Sequence, residues 1–299
     1  MKSKTYQLLD SGNLIKLEQA GEYRIIRPAL NAFWKPTLPK KEWDMAQGIF
    51  ERNSSGGGKW QKQNGGIPES WELEYAGFNI LIKPTNFGHL GFFAEQHENW
   101  DWLKTNIRAM RGEANTMNLF AYSGIGSMAM AEAGAKVCHV DAAQGMNDWG
   151  RQILKLNPQI NDNIRWIADD VIKFTAREVR RGVKYNGLTL DPPSFGRGPK
   201  GQLWKIEQHL EELMCNCRSL IDTTKPYFVI LSCHSPGFSP LILEHILRDH
   251  FGKNNQIESG EMTIPSSIGL PLPAGASASY RRAGRPPRST SAGASRPGS

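Results

Sequence analysis

Asn118-Leu119-Phe120-Ala121-Tyr122-Ser123-Gly124-Ile125-Gly126 and, further along, Asp191-Pro192-Pro193-Ser194-Phe195 decide the reading of this chain. The first stretch opens as a short apolar run and passes through a glycine loop into a helical pattern. The second is a strand end, closed by an acid and two prolines that fix the backbone and lack N–H groups. Strand and helix patterns alternate around both. Strands are expected over 117–120, 137–140, 164–167, 188–190 and 227–232, and helices over 127–133, 143–156, 171–181, 203–221 and 240–251. Trp100, Leu103, Ile107 and Met110 recur at helical spacing ahead of them, Gly112 can stop that helix, and 256–264 is a candidate last strand. This order predicts an α/β fold, doubly wound around a mostly parallel, Rossmann-like sheet, over residues 87–266.

The flanking segments read differently. Tyr23-Arg24-Ile25-Ile26-Arg27 and Phe78-Asn79-Ile80-Leu81-Ile82 alternate roughly as strands do, so residues 1–86 are expected to form a small β-rich domain with a place in substrate recognition. Between them, the glycine-rich stretch from Ser54 to Gly66 carries Lys59, Trp60 and Lys62. It reads as a solvated hairpin loop; the alternative is a loop that touches substrate, since lysines and an aromatic suit phosphates and bases. Beyond Ser266 the periodicity stops, and 267–299 reads as a low-complexity, basic, disordered tail.

Composition narrows the setting. The net charge is +7, but Arg281, Arg282, Arg285, Arg288 and Arg296 fall in 271–299, which has no acid and no lysine; without them the rest carries +2. The basic total is therefore weak testimony for nucleic acid. No apolar run reaches the ~18 residues of a transmembrane helix, and Met1-Lys2-Ser3-Lys4-Thr5 lacks the apolar core of a secretion signal. A cytoplasmic location follows as the expectation. Cys138, Cys215, Cys217 and Cys233 lack zinc-site spacing, so reduced thiols and no metal are expected.

In an open parallel sheet, ligands lie beyond the carboxyl ends of the strands. Gly124 and Gly126 after the first strand allow close backbone approach. Asp141 after the second can accept from both hydroxyls of a ribose. Asp169 and Asp170 after the third can bond an exocyclic amine. Asp191 closes the fourth strand and Cys233 the fifth. Ala129 stands where a dinucleotide fingerprint has its third glycine, and no phosphate-cradling lysine follows. A ligand with a ribose and an adenine but no pyrophosphate fits better, and S-adenosylmethionine is such a ligand. Across the pocket, Phe195 can stack on a flat ring while Asp191 or the proline backbone bonds its polar edge.

Gly88-His-Leu-Gly-Phe-Phe-Ala-Glu-Gln-His-Glu-Asn-Trp100, Asn118 to Gly124, Val140-Asp141 and Asp191-Pro-Pro-Ser-Phe-Gly-Arg-Gly198 occur in the order seen in class I S-adenosylmethionine-dependent methyltransferases. The region from Phe87 to Phe251 resembles that family. It is most similar to the group containing bacterial large-subunit ribosomal RNA methyltransferases related to the 5-methylcytosine enzymes. The resemblance implies that Tyr122, Ser123 and Gly124 line the methionine side of the cofactor, that Asp141 meets the ribose, and that Asp169 or Asp170 lies near the adenine. It also implies Gln96 at the cofactor's flank, with an exposed helix cap as the plain alternative.

Cys233 carries the mechanistic choice. Methylating C5 of a pyrimidine calls for a thiolate adding at C6, and a free thiol is ionised only to a few per cent near neutral pH. His234 or a nearby lysine could lower its pKa. Cys233 and Asp191 are thus expected to flank one ring, with ribosomal RNA as substrate. The alternative is a buried structural cysteine and methylation of an exocyclic amine or ring nitrogen. A non-catalytic RNA-binding protein of the same fold is a further alternative. Pro192, Pro193 and Phe195 are expected to hold the base, and Arg197, Lys200 and Lys205 to meet phosphates.

Overall fold

The computed structural model describes residues 4–53, 56–110, 112–252 and 256–282. The N-terminal part contains β1 (Tyr6–Gly12), β2 (Ile15–Ala20), β3 (Tyr23–Pro28), the single-turn helix α1 (Lys40–Trp43), β4 (Gly48–Arg52) and β5 (Gly58–Lys62). A hairpin follows, β6 (Trp71–Tyr75) and β7 (Phe78–Ile82). Among the described residues, β1 to β5 form one sheet in chain order. The sequence alternation is visible in β7, where Phe78, Ile80 and Ile82 are buried and Asn79 is exposed.

The larger part begins with α2 (His97–Ala109). Then come β8 (Asn115–Leu119), α3 (Ile125–Glu132), β9 (Lys136–Asp141), α4 (Gln144–Lys155), β10 (Ile164–Ala168), α5 (Val171–Arg180) and β11 (Gly187–Leu190). The chain continues through β12 (Phe195–Arg197), β13 (Leu203–Lys205), α6 (Ile206–Leu220), β14 (Tyr227–Cys233), α7 (Pro240–Phe251), β15 (Gln256–Ile264) and β16 (Leu272–Arg282). Local signals set several of these ends. The Asp170 carboxylate accepts from the Lys173 amide at the start of α5, and Ser239 does the same for Ile242 with Pro240 at the first position of α7.

Seven strands form the central sheet in the order β10-β9-β8-β11-β14-β16-β15. The first five run parallel, and β16 runs antiparallel to both of its neighbours. The sheet is therefore mostly parallel with helices on its faces. Strand alternation sorts the core into two sides. On β14, Phe228 and Ile230 join one cluster, while Tyr227, Val229, Leu231 and Cys233 join the other.

Two expectations need correction. Residues 272–282 were expected in the tail, yet they form an eleven-residue strand inside the sheet. Their Ala, Ser and Gly side chains give little hydrophobic signal; pairing with β14 and β15 supplies the backbone partners that make the strand. Residues 203–205 were expected to be helical, but they pair with 195–197 as a two-stranded ribbon, and the helix starts at Ile206. Ser54, Ser55 and the low-complexity run 283–299, with Arg285, Arg288 and Arg296, lie outside the described residues.

The β-rich part shares a core with the rest. Tyr6, Leu8, Ile25, Phe78 and Ile80 belong to one buried cluster with Trp100, Ile125 and Met128, and each large side chain so buried contributes about 1.5–3 kcal/mol. Asn157 ties β7 to the end of α4: its carboxamide accepts from the Asn79 amide at 2.9 Å and donates to the Asn79 carbonyl at 2.8 Å. Among the described residues, no helix is long and apolar enough to cross a membrane.

Candidate active site

The strand order reverses between β8 and β11: β9 and β10 lie to one side, β14 and the last two strands to the other. Ligand sites in such sheets form at this switch point. Here a cavity of about 590 Å³ opens, lined by Tyr122, Asp141, Asp170, Asp191, Pro192, Pro193 and Arg197 among others. A narrower cleft of about 60 Å³ meets it at Tyr122 and Asp191 and is lined by Gln96, Asn118, Ser123, Gly124 and Ser232.

The glycine loop is strained and held. Phe120 and Tyr122 have positive φ, 57° and 53°, which costs non-glycine residues of the order of 1 kcal/mol or more each. The Tyr122 amide donates to the Asp141 carboxylate at 2.8 Å, and the Ala121 amide to the Val140 carbonyl at 3.1 Å. Gly124 follows at φ 87°; a Cβ there would lie 2.9 Å from the Trp166 ring and 3.2 Å from His139. Beneath the loop, Asn118 donates to the Ser127 oxygen at 3.0 Å. Ser127 lies 3.0 Å from His139 Nδ1, and His139 Nε2 lies 3.0 Å from the Asn147 oxygen. The Asn147 oxygen only accepts, so Nε2 carries the proton and Nδ1 accepts from Ser127. Burial pushes His139 down to about 3, keeping this brace neutral. Ser123, buried, donates to the Gly91 carbonyl and joins the loop to the segment before α2.

Asp141 ends β9 with both oxygens engaged, one with the Tyr122 amide and one with the Ala143 amide at 2.9 Å. Burial raises its pKa above the usual carboxylate value against the pull of those two donors. Asp170 faces the same cavity, whereas Asp169 is bound by Arg177 at 2.8 Å and does not line it.

Asp191 is the most heavily bonded acid of the site. Ser232 donates to Oδ1 at 2.8 Å, and Gln96 donates to Oδ2 at 3.1 Å. Nε2 of His234 lies 3.3 Å from Oδ2, while its Nδ1 lies 2.7 Å from the Ala274 carbonyl. Both of those oxygens are acceptors only, so both ring nitrogens donate and the ring is an imidazolium. Burial disfavours that charge, but Asp191 and Glu95 outweigh it and raise His234 to about 10. In turn, burial alone would raise Asp191; His234, Ser232 and Gln96 win and hold it below the usual range.

Cys233 stands apart. Ser232 near the end of β14 and His234 just past it both meet Asp191, and Cys233 between them turns the other way. There it is 1 % exposed in the second core cluster, and its Sγ accepts from the Ser235 amide at 3.4 Å. Burial raises its pKa. His234 is bonded to Asp191 and to the Ala274 carbonyl rather than to this thiol, and Cys233 is close enough to feel the Asp191 charge but is not among the residues that line the cavity.

The proline loop is anchored from β13. The Trp204 indole donates to the Pro193 carbonyl at 2.6 Å and packs 4.8 Å from the Phe120 ring, and the Ile206 amide donates to the Ser194 carbonyl at 3.1 Å. Phe195 projects outward, 53 % exposed, with the Arg197 guanidinium 5.9 Å from its ring. Lys200 is exposed and does not line the cavity. The sequence reading missed His89, Phe93, Ser232 and the pairing of His234 with Asp191. For Ser232 and His234 the period of two along β14 was the available signal.

A crystal structure of an S-adenosylmethionine-dependent methyltransferase from Agrobacterium tumefaciens matches this fold with a TM-score of 0.87 at 33% identity, over 94% of this chain and 91% of that one. The chain belongs to the S-adenosylmethionine-dependent methyltransferases. A structure complexed with S-adenosylhomocysteine shares the fold at 17% identity and a TM-score of 0.69, over 94% of this chain and 76% of that one. Ribosomal RNA large subunit methyltransferase I of Aeromonas salmonicida is 32% identical over 132 residues, 44% of this chain and 32% of that protein. Ribosomal RNA large subunit methyltransferase K/L of Syntrophotalea carbinolica is 26% identical over 145 residues, 48% of this chain and 19% of that protein. The matched part thus spans a third or less of these two relatives. No family model matches the chain.

Proposed function

We propose that the protein methylates a base of ribosomal RNA, at an exocyclic amine or ring nitrogen, without a cysteine adduct. The observation that carries this reading is the placement of Asp191, Pro192 and Pro193 on the cavity that Tyr122 and Asp141 share, while Cys233 is buried and is not among the residues that line it. The substrate class follows the names of the curated relatives.

The donor chemistry of the site suits S-adenosylmethionine. Each Asp141 oxygen accepts one backbone N–H and keeps lone-pair capacity for a ribose hydroxyl. Asp170 can accept from the adenine amine, and Tyr122, Ser123 and Gly124 would border the methionine end, beside Gln96. When bound, the cofactor supplies an electrophilic methyl group on a sulfonium. The chain's part is to exclude water and aim a nucleophile. Pro192 and Pro193 give a rigid wall for a flat ring. Asp191 has accepted three donors and keeps one lone-pair site, enough to orient an N–H of the base. Because His234 holds it below the usual carboxylate range, Asp191 is a weak base. Its role is orientation, and the proton of the methylated amine leaves to solvent.

The test is Cys233→Ala with tritiated cofactor and RNA from cells lacking the gene. Transfer within about threefold of wild type is expected. A loss beyond about 100-fold, with cofactor binding intact, would restore a cysteine adduct and C5 methylation, since removing a covalent nucleophile is a loss of that order or larger. Mass spectrometry of ribosomal RNA from cells with and without the gene identifies the methylated nucleoside.

A further inference from the structure

Beside the methyl-transfer cavity lies a second one of about 160 Å³, which shares Arg52, His89 and Phe93 with it. The N-terminal sheet builds one wall with Lys16, Arg27, Phe50 and Arg52; the other comes from residues 87–95. The β4–β5 hairpin is seated firmly there. The Trp60 indole donates to the Thr85 carbonyl at 2.9 Å, and the Phe50 ring fills the space that Gly88 leaves open: a Cβ at Gly88, whose φ is +78°, would lie 2.6 Å from it. Trp60 is thereby committed to packing and is not free to stack on a base.

The charges of this cavity are unequal. Arg27 is committed to Glu18, with two bonds of 2.6 Å, and to the Gly88 carbonyl at 2.8 Å. Lys16 pairs with the same Glu18 at 3.2 Å. Glu95 is the acid of the opposite wall, 3.5 Å from His234. Arg52 is exposed and has no ion-pair partner among the described residues, and it stands where the two cavities meet. His89, between them, is pushed down to about 4, first by burial and then by Arg27, Arg52, Lys16 and His234. It stays a neutral ring in a positive field.

We propose that this second cavity is a phosphodiester subsite, in which Arg52 binds the backbone phosphate next to the methylated nucleotide. The proposal rests on the reading of the substrate as RNA. A strand whose target base enters the larger cavity can run over this rim, which the two cavities share, and a guanidinium without an ion-pair partner there can meet a phosphate by a bidentate, charge-assisted bond.

Fluorescence anisotropy with a labelled, random-sequence single-stranded RNA, over a series of salt concentrations, tests it on wild type, Arg52→Ala and Arg52→Lys. Arg52→Ala is expected to weaken RNA binding about tenfold and to lower the slope of log affinity against log salt by about 0.7, the share of one phosphate contact on a single strand. Arg52→Lys is expected to keep the slope. Cofactor affinity by calorimetry and the thermal midpoint are expected to stay unchanged in both. An unaltered slope in Arg52→Ala overturns the proposal, as does a parallel loss of cofactor binding or of folding, which would make the residue structural. If wild type binds RNA but methylates none, the substrate reading fails while the slope still reports on Arg52.

Discussion

His234→Gln removes the cation that holds Asp191 while leaving an amide that can still donate. In the folded protein His234 titrates at about 10, against 6.5 for the unexcited side chain in an unfolded chain. Between those values the folded state keeps a proton that the unfolded chain has released. The stabilisation is therefore fully present below about pH 6.5 and is lost as pH rises through about 10. A fully buried shift of this size has a ceiling of ~5 kcal/mol at 1.36 kcal/mol per unit. Side-chain exposures of 32% for His234 and 24% for Asp191 let water screen the pair, which reduces it to ~2 kcal/mol. Urea unfolding of wild type and variant at pH 6 and pH 10 reads it directly. Wild type is expected to lose ~2 kcal/mol more than the variant across that window; taking the difference cancels the cysteines and Lys16, which both proteins share. Equal pH slopes in the two proteins would show that the imidazolium is not paired with Asp191, and the account of Asp191 as a weak base would fall with it.

Asp141→Asn is expected to weaken cofactor binding about 10- to 100-fold by calorimetry, since charge-assisted hydrogen bonds contribute ~1.5–3 kcal/mol and one backbone donor, Tyr122 or Ala143, would face an amide. Unchanged affinity would remove Asp141 from the ribose. Gly91→Ala is expected to destabilise by ~2–4 kcal/mol, combining strain at positive φ with overpacking: Gly91 sits at φ +106°, and an added Cβ would overlap the Trp149 indole. A loss under ~1 kcal/mol in urea unfolding would mean that Trp149 moves aside readily.

Periodicity located the helices because each buries one face, and that need is written into residues three to four apart; the parallel strands were legible instead as short continuous apolar runs, since both faces of a strand such as β14 are buried. The acids and prolines at the strand ends were legible for a related reason: chemistry collects where parallel strands stop. The sequence left β16 invisible, because Ala276, Ser277, Ala278 and Ser279 have little side-chain surface to bury and hold their strand through backbone bonds to β14 and β15. It also left Cys233 as the candidate nucleophile with His234 beside it, and passed over Ser232. Packing separated them: two side chains meet Asp191, and the third enters the core behind it. The seating of the β4–β5 hairpin over the cavity, which brings Arg52 to its rim, depends on contacts between segments distant in the chain, and local pattern does not encode such contacts.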